Sequence, residues 1–377
     1  MREGWEYKKL GEVCTIKAGY TPQKNELSDN GAYPYYKVAD MNTLGNDVYL
    51  DITSSYKIDA NKLFPKGAIV FPKNGAAVST NKKRILKYDS IVDLNTGVAI
   101  FPKSINEKFA YYWFIDTDFK KYVRGGALPT LDIKSLKDKT FPSIDKSIQL
   151  AIVSELDKIN ELIRLKKEQL KDFDNLAQSI FYEMFGDPVE NEKGWEVETV
   201  QNSCTLKSGD SKANNSKVGT LPYIKVGDMN LPENENYINI STNYVDKETN
   251  IKRIFPIGTI IFPKRGGAIL TNKKRLTNVE ICCDLNIMGV TPGNMLNKYY
   301  LFQYFKILDL STICSGSTVL QLNNCDINPL RIPLPPLSLQ HLFAQRIEQI
   351  EHQKAEVQKA IADLETLLAS RMQYWFE

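Results

Sequence analysis

Residues 148–185 read IQLAIVSELDKINELIRLKKEQLKDFDNLAQSIFYEMF. Within them Ile152, Leu156, Ile159, Ile163, Lys166, Leu170, Phe173, Ala177 and Ile180 follow one another at gaps of alternately four and three. That is a heptad seam with one polar interruption, the pattern of a long helix packed along another helix. At ~1.5 Å per residue such a segment is roughly 57 Å long. The partner lies in the same chain. Phe343, Ile347, Ile350, Lys354, Val357, Ile361, Leu364 and Leu368 repeat the pattern 191 positions later. An antiparallel register sets Ile152 against Leu368, Leu156 against Leu364 and Ile163 against Val357, and it confines Lys166 and Lys354 to one layer. Both ammoniums then snorkel outward, or both lysines sit at the edge of the seam.

The helices close two copies of one pattern. Gly4-Trp5-Glu6 returns as Gly194-Trp195-Glu196, and Cys14-Thr15-Ile16-Lys17 as Cys204-Thr205-Leu206-Lys207. The run from Pro34 to Asn42 returns from Pro222 to Asn230, and Asp93-Leu94-Asn95 as Asp284-Leu285-Asn286. Between Phe64–Arg84 and Phe255–Arg275, fourteen of twenty-one residues are identical, which marks a domain-plus-helix duplication. Each head reads as mostly β with a few helices. The apolar runs 68–71 and 259–262, bounded by Gly and Pro, predict buried strands. Residues 111–122 and 299–310 carry the spacing of a helix. The expected boundaries are 1–146 and 194–336 for the heads, 147–185 and 337–377 for the helices, and 186–193 for the linker. The fold class is α+β.

Residues 1–146 hold 23 Lys and Arg against 17 Asp and Glu, and residues 194–336 hold 15 against 12, whereas both helices and the linker are acidic. Basic heads on an acidic stalk suit heads that meet phosphate and a stalk that meets protein. No run of 18 apolar residues exists to span a membrane, and the charged start lacks a signal-peptide core. Six cysteines without metal spacing and two histidines, His341 and His352, predict a reduced, cytoplasmic chain with no metal centre.

The duplicated heads, each followed by a long helix, and the Pro333-Leu-Pro-Pro-Leu-x-x-Gln340 junction resemble the specificity subunit of a type I restriction–modification system. Pro222-Tyr-Ile-Lys-Val-Gly-Asp228 and the Gly-x-Ile-x-Phe-Pro-Lys-x-Gly-x-Ala runs are similar to segments of that family's target recognition domains. The resemblance covers essentially the whole chain. It implies one recognition domain per half of a bipartite site on double-stranded DNA, and an antiparallel coiled coil that fixes the spacing and docks two methyltransferase subunits. Those carry adenine-N6 chemistry with S-adenosylmethionine. Motor–nuclease (restriction) subunits, which use ATP and magnesium, can join them. This chain itself would hold no cofactor. The first junction departs from the pattern, with Phe141-Pro142-Ser143-Ile144 in place of the proline-rich run.

Within that frame, Asn81-Lys82-Lys83-Arg84 and Asn272-Lys273-Lys274-Arg275 are the leading DNA contacts. Three adjacent cations neutralise phosphates, and Arg or Asn can reach base edges bidentately; otherwise the run is a solvated loop. Sequence choice belongs where the heads differ, as at Asn74 and Arg265. Lys73 and Lys264, followed by glycines, mark either a turn approaching the duplex or a hairpin tip. Tyr20, Thr21 and Gln23, facing Asp210-Ser211-Lys212 in the copy, form a divergent early loop suited to base readout. Gly125-Gly126 and Gly316-Ser317-Thr318 offer phosphate donors. Tyr35 and Tyr223 read as core, and Asp40 and Asp228 as structural turns. No Asn/Asp-Pro-Pro-Tyr/Phe element, Gly-rich nucleotide loop or Walker lysine occurs, so no catalytic residue is assigned. Two other classes remain open: an enzyme with degenerate motifs, which would modify or cut DNA alone, and a protein scaffold, whose binding would be insensitive to salt.

Overall fold

A computed structural model describes residues 2, 4–29, 31–53, 55–57, 62–126, 128–210, 219–248, 254–316 and 319–377. It has the expected α+β class, with two helices of 40 residues, Lys146–Phe185 and Leu337–Phe376, and two sheet-rich heads built alike. Contacts divide the chain into two units, Met1–Lys167 with Lys359–Glu377, and Glu168–Gln358. Each unit therefore holds one head and a stretch of both long helices.

In the first unit a five-stranded sheet runs in the order Thr15–Ala18, Thr96–Ile100, Ile69–Pro72, Arg84–Leu86, Tyr49–Leu50, antiparallel except for the last pair. In the second, Cys204–Ser208, Ile287–Pro292, Ile260–Pro263, Arg275–Thr277 and Tyr237–Ile238 repeat that order and pairing. The continuous apolar runs arise because the central strand is covered on both faces. Ile69 and Phe71 pack with the aromatic head helix, whereas Val70 joins Tyr36, Met41 and Leu86 on the other side. Tyr35 and Tyr223 are buried, as read from the sequence.

The head helices begin earlier and end earlier than their apolar spacing predicts, at Glu107–Asp116 and Lys298–Ile307. Their starts are set by side-chain caps. The Asn106 side chain accepts from the Lys108 and Phe109 amides, and Asn297 does the same for Tyr299. Beyond each helix the chain resumes as a short 3-10 turn, Phe119–Tyr122 or Leu310–Thr312, which continued the apolar pattern without continuing the helix.

One glutamine fastens each head to its long helix. Gln149 accepts from the Asn106 amide at 2.7 Å and donates to the Ser104 and Ile144 carbonyls. Gln340 accepts from the Asn297 amide at 2.7 Å and donates to Met295 and Pro335. Both are essentially fully buried, so all three bonds are made away from water. The tryptophan of the Gly-Trp-Glu repeat fixes the start of each head. Trp195 donates to the Phe185 carbonyl, and Trp5 stacks on Trp375, over which the Arg2 guanidinium also lies.

Along the seam Ile152, Leu156, Ile159, Ile163, Phe343, Ile347, Ile350, Val357 and Ile361 are buried, and Leu170, Phe173, Leu364 and Leu368 are half-buried. The helices pair antiparallel within each unit, but not in the register expected. That register would set Glu155 opposite Glu365 and Lys354 opposite Lys166. Instead Glu155 binds Arg371 and Trp375 in the first unit. In the second, Lys354 binds Asp174 at 3.1 Å while Phe343 packs on Phe181 and Phe185. The physical reason is charge: a lysine that is only 5% exposed needs a carboxylate beside it, and a like-charged layer offers none.

Candidate nucleic-acid interface

Four loops, distant in sequence, are bound together at one end of each sheet. In the first head the Lys73 amide donates to the Asn95 carbonyl at 2.8 Å, and the Leu131 amide donates to the Lys73 carbonyl at 2.8 Å. Gly75 donates to Pro129, and Asn74 bridges Thr130. In the second head Lys264 donates to Asn286 at 2.8 Å, Leu322 donates to Lys264 at 2.9 Å, Gly266 donates to Leu320, and Arg265 bridges Gln321. The early loop joins the same cluster, since Tyr20 donates to Val92 and Asp210 to Cys283. Glycine is required at that junction. A Cβ on Gly19 would lie 2.1 Å from the Asp93 carbonyl oxygen, and one on Gly209 would lie 1.9 Å from that of Asp284.

The cluster thus brings together Tyr20, Lys73 and Asn74 in one head and Lys264 and Arg265 in the other, while Thr21 follows Tyr20 and Gly125-Gly126 lie in the loop joining Val123–Arg124 to Thr130–Leu131. Thr21, Gly125, Gly126 and Arg265 are exposed, and Tyr20, Lys73, Asn74 and Lys264 are half-buried. Gln23 is exposed at the head of a 3-10 turn, where its amide donates to Glu26 Oε2 at 2.8 Å. Gly125, at φ +87, and Gly316, at φ +97, adopt backbone that side chains disfavour. The Lys264 ammonium donates to Ser208 Oγ at 2.9 Å, and burial, with Arg265 beside it, pushes its pKa down. Ser211, Lys212, Ser317 and Thr318 lie outside the described residues.

The Asn-Lys-Lys-Arg runs are not three solvent-facing cations, and this corrects the reading of Lys83 and Lys274 as phosphate contacts. Lys83 is 0% exposed and Lys274 4%. Lys83 donates to the Thr117 carbonyl at 2.7 Å, just past the head helix, and to Asn81 Oδ1, with its ammonium 4.2 Å from the centre of the Phe119 ring. Lys274 donates likewise to the Leu308 carbonyl and Asn272 Oδ1. These ammoniums cap the helix C-terminus, where carbonyls lack partners and the dipole favours a cation. Burial pushes the Lys83 pKa down to about 7 and that of Lys274 to about 8. Asn81 and Asn272, at φ 55 and 50, accept from the Phe119 and Leu310 amides.

The arginines are also turned inward. Arg84 donates to the Asn46, Lys83 and Met41 carbonyls, and Arg275 to those of Lys274 and Met229. Lys82 and Lys273, half-buried, bond to Asn42 and Asn230. High identity in this block therefore reflects an internal brace. Asn95, Asn286, Ser208 and Gln321, which the cluster contains, were not singled out in the sequence. The repeated Asp-Leu-Asn was the signal for the two asparagines, because Asp93 and Asp284 hold those turns by accepting from the Asn95 and Asn286 amides.

Burial raises the Cys14 thiol to about 12 and that of Cys204 to about 11, so both are held neutral. Among the described residues no group of three or more His, Cys, Asp or Glu is placed to hold a metal ion, and no helix is long and apolar enough to cross a membrane.

The family model for the type I restriction modification DNA specificity domain matches residues 2–172 and again 192–366, one match per head with its helix. The chain belongs to this family. It is a specificity subunit of a type I restriction–modification system, a non-catalytic subunit that recognises DNA sequence while partner subunits carry out catalysis. It is 23% identical over 407 residues to the type I restriction enzyme MjaIX specificity subunit of Methanocaldococcus jannaschii, covering 96% of this chain and 90% of that one. The specificity subunit of M. genitalium shares the fold over all of this chain and 98% of its own, at 15% identity and a TM-score of 0.54. A chain from a structure describing assembly and conformational transition of a type I system matches over all of this chain and 98% of its own, at 18% identity and a TM-score of 0.64.

Proposed function

We propose that this specificity subunit reads a bipartite site on double-stranded DNA, one half-site per head, with the long helices setting the spacer. The observation that carries this reading is the loop cluster built twice. The same backbone bonds hold both copies, and the side chains they present differ: Asn74 against Arg265, Thr130 against Gln321. A constant frame with divergent side chains is what two readers of different sequences require. In this reading Tyr20, Thr21, Gln23, Lys73, Asn74, Lys264, Arg265 and Lys212 supply base and phosphate contacts, and Gly125, Gly126, Ser317 and Thr318 supply phosphate donors. Lys82 and Lys273 add charge at the edge. The domains are the heads 1–146 and 194–336, the helices 147–185 and 337–377, and the linker 186–193. The helices dock two adenine-N6 methyltransferase subunits, which bring S-adenosylmethionine. Through these, two motor–nuclease subunits with ATP and magnesium can act, in the cytoplasm.

Deleting the gene in its host and mapping N6-methyladenine by single-molecule sequencing tests this. Loss of one interrupted two-part motif is expected. An unchanged methylome, with the partner methyltransferase expressed, would refute it.

A further inference from the structure

The two heads meet their helices differently. In the second unit the head helix supplies Lys306, the first long helix Asp174, and the second long helix Glu351 and Lys354. Lys354 lies 3.1 Å from Asp174 and 3.4 Å from Glu351, and Lys306 lies 3.4 Å from the same Asp174 oxygen and 3.4 Å from Asn236. The Tyr237 hydroxyl also faces Glu351. One carboxylate thereby ties three elements together, around a lysine that is 5% exposed.

At the equivalent positions of the first unit stand Ile115, Glu365, Asn160 and Ile163. Glu365 pairs instead with Lys167 at the surface, at 2.8 Å. In the first unit a groove of about 650 Å³ is lined by Ile115, Ile163, Tyr111, Tyr112, Asp157 and Asn160, and the head helix is tied to the long helix by Lys108 and Asp157 at 2.7 Å instead. All four positions of the network thus differ between the two junctions.

A buried ion network adds little net stability over apolar packing, because desolvation offsets the attraction. It does penalise any arrangement that pulls its members apart. A small shift of the head helix along the long helices would part Lys306 from Asp174, leaving that half-buried ammonium without its carboxylate. We propose that the Lys306–Asp174–Lys354–Glu351 network is a positioning element that holds the second head at one angle on the helices, and so restricts reading to a single spacer length. The inference rests on the bipartite reading above.

The test replaces the gene in its host by variants of the full chain and maps N6-methyladenine. Asp174→Asn with Lys354→Met, and separately Lys306→Met, should keep both half-sites. Each should raise methylation at sites one base pair longer or shorter by about tenfold, equivalent to ~1.4 kcal/mol of lost discrimination. Lys306→Arg should keep the single spacer. If the double variant fails to fold, Lys306→Met alone decides. Folded variants that methylate only the parental spacer, or that alter a half-site, would overturn the proposal. A parent chain yielding no interrupted motif would instead refute the bipartite reading.

Discussion

Lys83 and Lys274 each keep an ammonium inside the head against helix-end carbonyls, so their charge acts on stability rather than on a ligand. Their folded pKa values, about 7 and about 8, lie below the ~10.4 of an unfolded lysine. Between those values the unfolded chain binds more protons, so stability rises with pH and is lost as pH falls towards 7. Lys83→Met removes that dependence. The melting temperature of the parent minus that of the variant should climb between pH 7 and 9.5, and a flat difference would contradict the burial. In DNA binding the contrast is with Lys73 and Arg265. Lys73→Ala should lower the salt slope by about one and weaken all sequences alike. Arg265→Ala should cost about 1–3 kcal/mol and relax one position of the second half-site. Lys83→Met should leave the salt slope unchanged. Titrations of the complex with its methyltransferase, over a range of salt, measure all three.

Among the elements, the junction of head and long helix turns on a single amide. Gln149 satisfies the Asn106 amide and two carbonyls without water, and Asn106 in turn caps the head helix. Gln149→Leu would leave those groups buried and unpaired, at a cost on the order of 3 kcal/mol. Chemical denaturation should show a lower midpoint for the variant, and Gln340→Leu should do the same in the second unit. Gln149→Glu is a sharper probe, because it keeps the acceptor for Asn106 and loses the donor to Ser104 and Ile144. A buried carboxylate facing two carbonyl oxygens costs more than leucine does, so at pH 7 this variant should fall below Gln149→Leu.

For the whole molecule, the helices act as a ruler in the proposed reading. Four residues added to one helix lengthen it by about 6 Å, close to two base-pair steps of ~3.4 Å. Methylome mapping of such a variant should show the spacer lengthened by one or two base pairs and both half-sites unchanged. Altered half-sites would mean the helices do more than measure distance.

The sequence by itself determined the duplication, the two long helices and the buried strands. Heptad spacing and apolar runs are local patterns, and a period of 191 residues is plain in one chain. It also placed Tyr35 and Tyr223 in the core. It misplaced the cations. Lys82 and Lys83 are neighbours of one residue type, yet one bonds a surface asparagine and the other a helix end, because neighbouring residues on an extended segment point to opposite sides. The register of the helices was likewise decided only in the tertiary structure. Two seams of similar apolar residues fit at several offsets, and ion pairs such as Glu155–Arg371 and Asp174–Lys354 select among them. The interface cluster needed the fold for the same reason, since residues 20, 73, 95 and 130 become neighbours only through backbone bonds between distant loops.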